Sequence, residues 1–261
     1  MSGDTVPTAG ANAGHGWTRP ALRVETLALL ISLWFTAVCN PLFWAAIVAG
    51  RPLAQGSTLL FVAAVAVMAT ALHFVMLAIV LNRWTAKPLL VLLILATAMA
   101  AYYMRQYHVY LDPSMLRNVI NTQAREASEL FTVGMLLPLA AYSLPPLLLV
   151  WRVRIVRRPW LRATGFRLAT LLLALVAMSG STLLVYKDFS SLMRRQKEVR
   201  YLMTPANYLY SLTRAVSADA SAATQARAVV GADAVLAAAG RQRGKPVLLV
   251  LVVGETARAA N

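Results

Sequence analysis

Acidic side chains are scarce in this chain, which has 10 Asp and Glu against 25 Lys and Arg in 261 residues. Charge of either sign is thin: 13% of residues are charged and 59% hydrophobic, where a soluble domain carries about a quarter charged. That balance excludes a water-soluble globule and assigns the surplus apolar surface to lipid. Cys39 is the single cysteine, so no intrachain disulfide can form and cysteine usage does not reveal the redox compartment. It is not a lipoprotein attachment site either. Valine precedes it in Thr36-Ala37-Val38-Cys39, where a small residue is expected, and the apolar run continues beyond it. No cleavable signal peptide is expected, because the first apolar run is too long and lacks an A-x-A end. The formal charge of +15 does not point to nucleic acid. The arginines sit in short loops between apolar runs, and no basic-aromatic platform accompanies them.

Five runs reach the roughly 20 apolar residues that cross a bilayer: Val24–Ala49, Thr58–Leu81, Pro88–Tyr107, Val133–Trp151 and Phe166–Tyr186. Proline at the head of the third suits a first helical turn. The cluster Tyr102-Tyr103-Met104-Arg105-Gln106-Tyr107 at its end is an aromatic belt of the kind found at membrane interfaces. The loops set the orientation. Arg19 and Arg23 precede the first run, Arg83 and Lys87 separate the second and third, and Arg152, Arg154, Arg157, Arg158, Arg162 and Arg167 separate the fourth and fifth. All three segments fall on one side, which the positive-inside bias makes cytoplasmic. On the other side Arg117 and Arg125 are balanced by Asp112, Glu126 and Glu129. The N-terminus is therefore expected inside and the C-terminus outside. Met1 to Trp17, polar and rich in Gly and Ala, is expected to be a disordered tail.

Lys187 to Arg214 is charged and aromatic and is broken by Pro205, while Ala215 to Gly240 is alanine-rich and helix-forming. The stretch reads either as a solvated linker or as an interfacial helix. Val247 to Val253 is an unbroken apolar run followed by Gly254-Glu255, the pattern of a buried parallel strand that delivers an acid at its carboxyl end.

Two places could carry chemistry. In the second outer loop, Asp112-Pro113-Ser114 is a helix start. On a helix continuing from it, Asn118, Thr122 and Glu126, four apart, share one broad face. Amide, hydroxyl and carboxylate together could hold a small cationic or phosphate-bearing group; an ordinary solvated face has the same spacing. Glu255 is either a solvated strand end or a metal ligand. Thr256 has no base beside it, and His15, His73 and His108 stand in no ligand spacing with Glu255. His73, within a span, is expected to pack between helices.

Val252-Val253-Gly254-Glu255-Thr256-Ala257-Arg258-Ala259 resembles the entry motif of the catalytic domain in the lipid A phosphoethanolamine transferases, which include mobile colistin-resistance enzymes. Met115-Leu116-Arg117-Asn118 with Thr122 and Glu126, Lys87-Pro88-Leu89, and Tyr201 through Tyr208 with Pro205 are similar to further family segments. The resemblance implies an α-helical membrane domain of five transmembrane helices, followed by the first strand of an α/β sulfatase-like domain. It implies a cytoplasmic tail over 1–23, the membrane domain over 24–186, a periplasmic linker over 187–244 and the start of the catalytic domain over 245–261. The implied location is the bacterial inner membrane.

By the same resemblance, phosphoethanolamine passes from phosphatidylethanolamine to lipid A or a related envelope glycan through a zinc-dependent phosphothreonine-type intermediate. Asn118, Thr122 and Glu126 help bind the donor, and Glu255 is a zinc ligand. The nucleophile and the other ligands are expected beyond Asn261, so this chain alone is expected to be inactive. A related five-span phosphoglycerol-type transferase and a membrane channel or transporter are the alternatives.

Overall fold

The computed structural model describes residues 20–157 and 159–224, together with Val235 and Val250. The expected tail Met1–Trp17, Arg19, Arg158, Glu255, most of the expected strand Val247–Val253 and the later part of the alanine-rich segment lie outside the described residues. The elements up to Asp219 belong to one compact unit, and Ala220–Asn261 form another.

The membrane part is helical. Among the described residues four helices are long and apolar enough to span a bilayer, and a bent pair makes a fifth if its two pieces count as one span. The bent pair is α1 (Val24–Val38) and α2 (Pro41–Val48), with 60° between them. The run Val24–Ala49 is thus two helices joined at a bend. The cause is local: Pro41 takes the first position of α2, and a proline disfavours helical geometry in the residue before it. Asn40 accordingly sits at φ −123° and ψ 48°. Next come α3 (Gly56–Val80) and α4 (Ala86–Tyr107), close to the expected limits. Two short helices follow, α5 (Pro113–Asn121) and α6 (Ala124–Glu129). The fourth span is a 3-10 turn, Val133–Met135, running into α7 (Leu136–Arg152).

The fifth span outruns its expected end at Tyr186. Helix α8 covers Trp160–Arg195, 36 residues, or roughly 54 Å at 1.5 Å per residue, well beyond an apolar core of about 30 Å. Its backbone kinks at Val185, where the apolar sequence gives way to Lys187 and Asp188. A 3-10 turn, Lys197–Tyr201, leads to α9 (Ala206–Thr224).

Within the bundle α3 packs against α1 and α8, and α4 against α7. Two apolar clusters fill the interior. One joins Leu27, Ile31, Phe35, Phe74, Leu77 and Ile94; the other joins Phe43, Ile47, Phe61, Met104, Leu111 and Leu202. Large apolar side chains left exposed, such as Leu137 at 80% and Leu183 at 75%, lie on spans and suit contact with lipid tails.

The arginine-bearing loops converge. A two-residue strand, β1 (Ala21–Leu22), pairs in parallel with β2 (Arg154–Ile155), through Arg154 N–H to Pro20 O at 3.0 Å and Val156 N–H to Leu22 O at 3.0 Å. Lys87 Nζ reaches Trp151 O at 3.4 Å. Arg167 donates to the carbonyls of Ala78 and Leu81 at the end of α3, where the helix dipole favours a cation. The loops that the charge bias places on one side thus meet at one end of the bundle.

Candidate functional site

Helix α5 starts as its sequence directs. The Asp112 carboxylate accepts from Met115 N–H at 2.8 Å and from the Ser114 hydroxyl at 2.8 Å, and Pro113 holds a first-turn position where no N–H is needed. Met115 and Leu116 pack against the second apolar cluster and fix the inner face of α5.

The helix does not continue through Glu126. It ends at Asn121; Thr122 is extended at φ −64°, ψ 130°, Gln123 likewise at φ −69°, ψ 148°, and α6 begins afresh at Ala124. The expectation of one helical face shared by Asn118, Thr122 and Glu126 is therefore corrected. Asn118 lies on the last full turn of α5, Thr122 at its end, and Glu126 in the first turn of α6. Thr122 Oγ1 donates to Asn118 O at 2.7 Å, which joins two of the three residues through the backbone. Such back-bonding, with Asn121 a poor helix former, accounts for the break. Asn118 and Glu126 are exposed and Thr122 is half-buried. Val119, Ile120, Leu130 and Phe131 are exposed beside them, the mixture found where a loop lies against a membrane surface.

Both ends of this loop are tied down. Ser211 Oγ on α9 donates to Leu111 O at 2.7 Å, just before α5. Tyr103, stacked on Tyr107 at 5.8 Å, donates its hydroxyl to Leu130 O at 3.1 Å, just after α6. Helix α9 is itself locked to the bundle at the bend of the first span. Asn40 Nδ2 donates to Thr204 O at 2.8 Å and to Phe35 O at 2.7 Å, and Asn40 Oδ1 accepts from Thr204 N–H at 2.7 Å and Thr204 Oγ1 at 3.1 Å. Asn207 Nδ2 donates to Tyr201 O at 2.8 Å. Tyr208 meets Thr97 Oγ1 at 3.1 Å, and burial pushes its phenol up to about 12, so it stays neutral at physiological pH. Asn40, Thr204, Asn207 and Ser211 are all buried. The opening part of the segment read as linker or interfacial helix is thus packed rather than solvated. These residues escaped the sequence reading; the signal that marks the place is Asn40-Pro41, a turn dipeptide inside an apolar run.

Three comparisons bear on what this arrangement serves. The family model described as phosphoethanolamine transferase EptA/EptB matches residues 69–220, from within α3 to α9. The chain belongs to the phosphoethanolamine transferase EptA/EptB family. Phosphatidylethanolamine transferase Mcr-2 of Escherichia coli is 29% identical over 247 residues, covering 94% of this chain and 45% of that protein. Phosphoethanolamine transferase EptA of Escherichia coli K12 is 28% identical over 244 residues, covering 93% and 44%. Among solved structures, the integral membrane lipooligosaccharide phosphoethanolamine transferase A (EptA) from Neisseria meningitidis aligns with a TM-score of 0.71 at 25% identity, covering 79% of this chain and 38% of that one. The chain therefore spans less than half the length of these relatives.

Against the EptA/EptB family, the described residues divide into what is held and what is displayed. The Asn40–Thr204 joint and Ser211 are structural supports, whereas Asn118 and Glu126 present polar groups at the surface. His73 is a packed residue: its Nδ1 lies 3.0 Å from Thr36 Oγ1 and its ring stands edge-on to Phe35. Among the described residues no three His, Cys, Asp or Glu side chains converge on a point where a metal could sit. Glu255, the residue expected to bind zinc, lies outside them. The described residues therefore offer zinc no ligand set.

Proposed function

We propose that this chain provides the membrane domain of an enzyme that moves phosphoethanolamine from phosphatidylethanolamine to lipid A or a related envelope glycan, and that the loop bearing Asn118, Thr122 and Glu126 positions the donor headgroup. The observation that carries this is the family match over residues 69–220, which includes the whole loop and the helix that braces it. The loop suits a zwitterionic donor. A carboxylate can pair with the ammonium and an amide can donate to phosphate oxygens, while the Thr122 hydroxyl, bonded to Asn118 O, holds the turn between them.

In the first half-reaction a threonine oxygen forms a bond to the donor phosphorus. The phosphorus–oxygen bond to diacylglycerol breaks, and the threonine proton ends on the diacylglycerol hydroxyl. In the second, an acceptor oxygen takes the group and frees the threonine. Glu255 belongs to this proposal as a zinc ligand on the strength of the Gly254-Glu255-Thr256 motif. The product gains an amine and loses net negative charge, which weakens attraction for cationic peptides.

The test is mass spectrometry of lipid A from cells expressing the complete gene. A phosphoethanolamine adduct absent from vector controls is the expected result. A glycerol-phosphate adduct would favour the phosphoglycerol-type sibling, and an unmodified envelope accompanied by solute flux would favour a transporter.

Orientation belongs to the same proposal: inner membrane, N-terminus cytoplasmic, C-terminus periplasmic, with 187–244 a periplasmic linker and 245–261 the start of the catalytic domain. Reporter fusions should place Arg157 in the cytoplasm and both Glu126 and Gly240 outside. A cytoplasmic signal at Gly240 would sink the assignment.

A further inference from the structure

The arginine-bearing end of the bundle carries an open cavity of about 550 Å³, formed by the start of α1, the α3–α4 turn and the start of α8. Arg23, Arg83 and Arg167 line it, with Glu25, Trp84 and Trp160. Three guanidinium groups thus face one carboxylate. No salt bridge joins Glu25 to Arg23, Arg83 or Arg167 among the described residues; the Arg51–Asp188 pair lies away from this cavity. Instead the arginines are held on apolar and backbone groups. Arg23 lies over the Phe166 ring at 4.8 Å and Arg83 over the Trp84 ring at 4.4 Å. Arg167 is fixed on the last carbonyls of α3. A guanidinium held over a ring still has N–H donors to offer, and these match phosphate oxygens two at a time.

A second hollow continues the pattern. An apolar groove of about 390 Å³ runs between the same three helices, lined by Leu29, Leu33, Val67, Phe74, Leu173 and Ala177. Leu29 lies five residues inward from Val24 of the cavity, and Phe74 seven inward from Leu81, which at 1.5 Å per residue are offsets of roughly 7 and 10 Å. A cationic chamber at the membrane surface with an aliphatic groove below it matches a phosphate-bearing head with an acyl tail. Helix α4, 22 residues or roughly 33 Å long, separates this end from the loop carrying Asn118, Thr122 and Glu126, so the site is distinct from the proposed donor site.

We propose that the cavity and groove together form a binding site for an anionic phospholipid, its phosphodiester held by Arg23, Arg83 and Arg167 and one acyl chain lying along α1, α3 and α8. By the charge bias of the loops, the lipid comes from the cytoplasmic leaflet. Basic pockets between spans on that side are a recurring means of holding acidic headgroups.

The test uses the purified 261-residue chain in mild detergent, with phosphatidylglycerol, phosphatidylethanolamine and glycerol 3-phosphate as probes and native mass spectrometry as readout. The chain should retain phosphatidylglycerol in preference to phosphatidylethanolamine. Arg23→Gln with Arg83→Gln should cut retained phosphatidylglycerol roughly 30-fold, as expected for removing two cations from a lipid headgroup site. If that double variant elutes as an aggregate, Arg23→Lys with Arg83→Lys keeps the charge but not the fork and should lie between the two. Ala177→Leu, which narrows the groove, should lower retention with the arginines intact. Equal retention of the two lipids would overturn the proposal, as would indifference to the arginine substitutions. Displacement by millimolar glycerol 3-phosphate would also overturn it, by assigning the cavity to a soluble phosphate ester.

Discussion

Asn40→Leu should lower the thermal midpoint of the detergent-solubilised chain by about 10 °C and expose residues 196–215 to protease. The Asn40 carboxamide pairs with both the N–H and the C=O of Thr204, and Thr204 is 1% exposed. A leucine fills the volume but leaves both backbone groups buried without that partner, and each such loss costs about 1–3 kcal/mol. Two losses sum to about 2–6 kcal/mol, and for a domain of this size the midpoint shifts by roughly 2–4 °C per kcal/mol. Asn207→Ala should cost less: its amide supports the Tyr201 carbonyl and a weak contact to the Met104 sulfur, and the N–H it accepts from, that of the adjacent Tyr208, is only half-buried. A wild-type melting curve for Asn40→Leu would mean that the bend is held by apolar packing alone. Because α9 in turn holds Leu111 through Ser211, the same variant should also loosen the entry to α5. That coupling can be read as faster hydrogen exchange at Met115, whose N–H is bonded to Asp112.

The spans were legible because lipid imposes a length and a polarity that single residues cannot disguise. Thr58–Leu81 and Pro88–Tyr107 lie close to α3 and α4 for that reason. The bend at Asn40 was not legible from hydropathy, since one amide hardly changes a window of apolar residues; the dipeptide Asn40-Pro41 carries the signal only when backbone geometry is considered. Nor was the packing of Thr204 to Ser211. The stretch that holds them reads either as a solvated linker or as an interfacial helix, whereas their partners, Asn40 and the Leu111 carbonyl, lie far away in sequence and satisfy them inside the protein. At the candidate site the cap at Asp112 was legible because it is a local event. The break at Thr122 was not, because four-residue spacing is equally compatible with one helix or two, and a hydroxyl bonding back to Asn118 decides between them. Gly254-Glu255-Thr256, which pointed most directly to the family, lies outside the described residues, while the match that establishes the family falls on residues 69–220.

Glu126→Ala, made in the complete enzyme, should reduce kcat/KM for phosphoethanolamine transfer by roughly 10- to 100-fold with little change in expression or melting temperature. Stability should hold because Glu126 is exposed, and exposed substitutions of this kind stay within about 0.5 kcal/mol. The kinetic loss follows if the carboxylate pairs with the donor ammonium, since a hydrogen bond to a charged group contributes about 1.5–3 kcal/mol. Glu129 is the control. It is equally exposed and carries the same charge, but it closes α6 rather than opening it, three residues and about 300° further round the helix. If Glu126 acts only through the net charge of the loop, Glu129→Ala should cost as much, and raising ionic strength should erase both effects together. If it contacts the headgroup, Glu129→Ala should retain most of the activity, and Glu126→Gln should recover part of what alanine loses. Asn118→Ala should then weaken transfer without affecting folding, because its amide is displayed at the surface while its carbonyl, which the substitution keeps, receives the Thr122 hydroxyl. Equal turnover in Glu126→Ala and the wild type would remove the loop from donor binding and leave it the role of a membrane-surface brace.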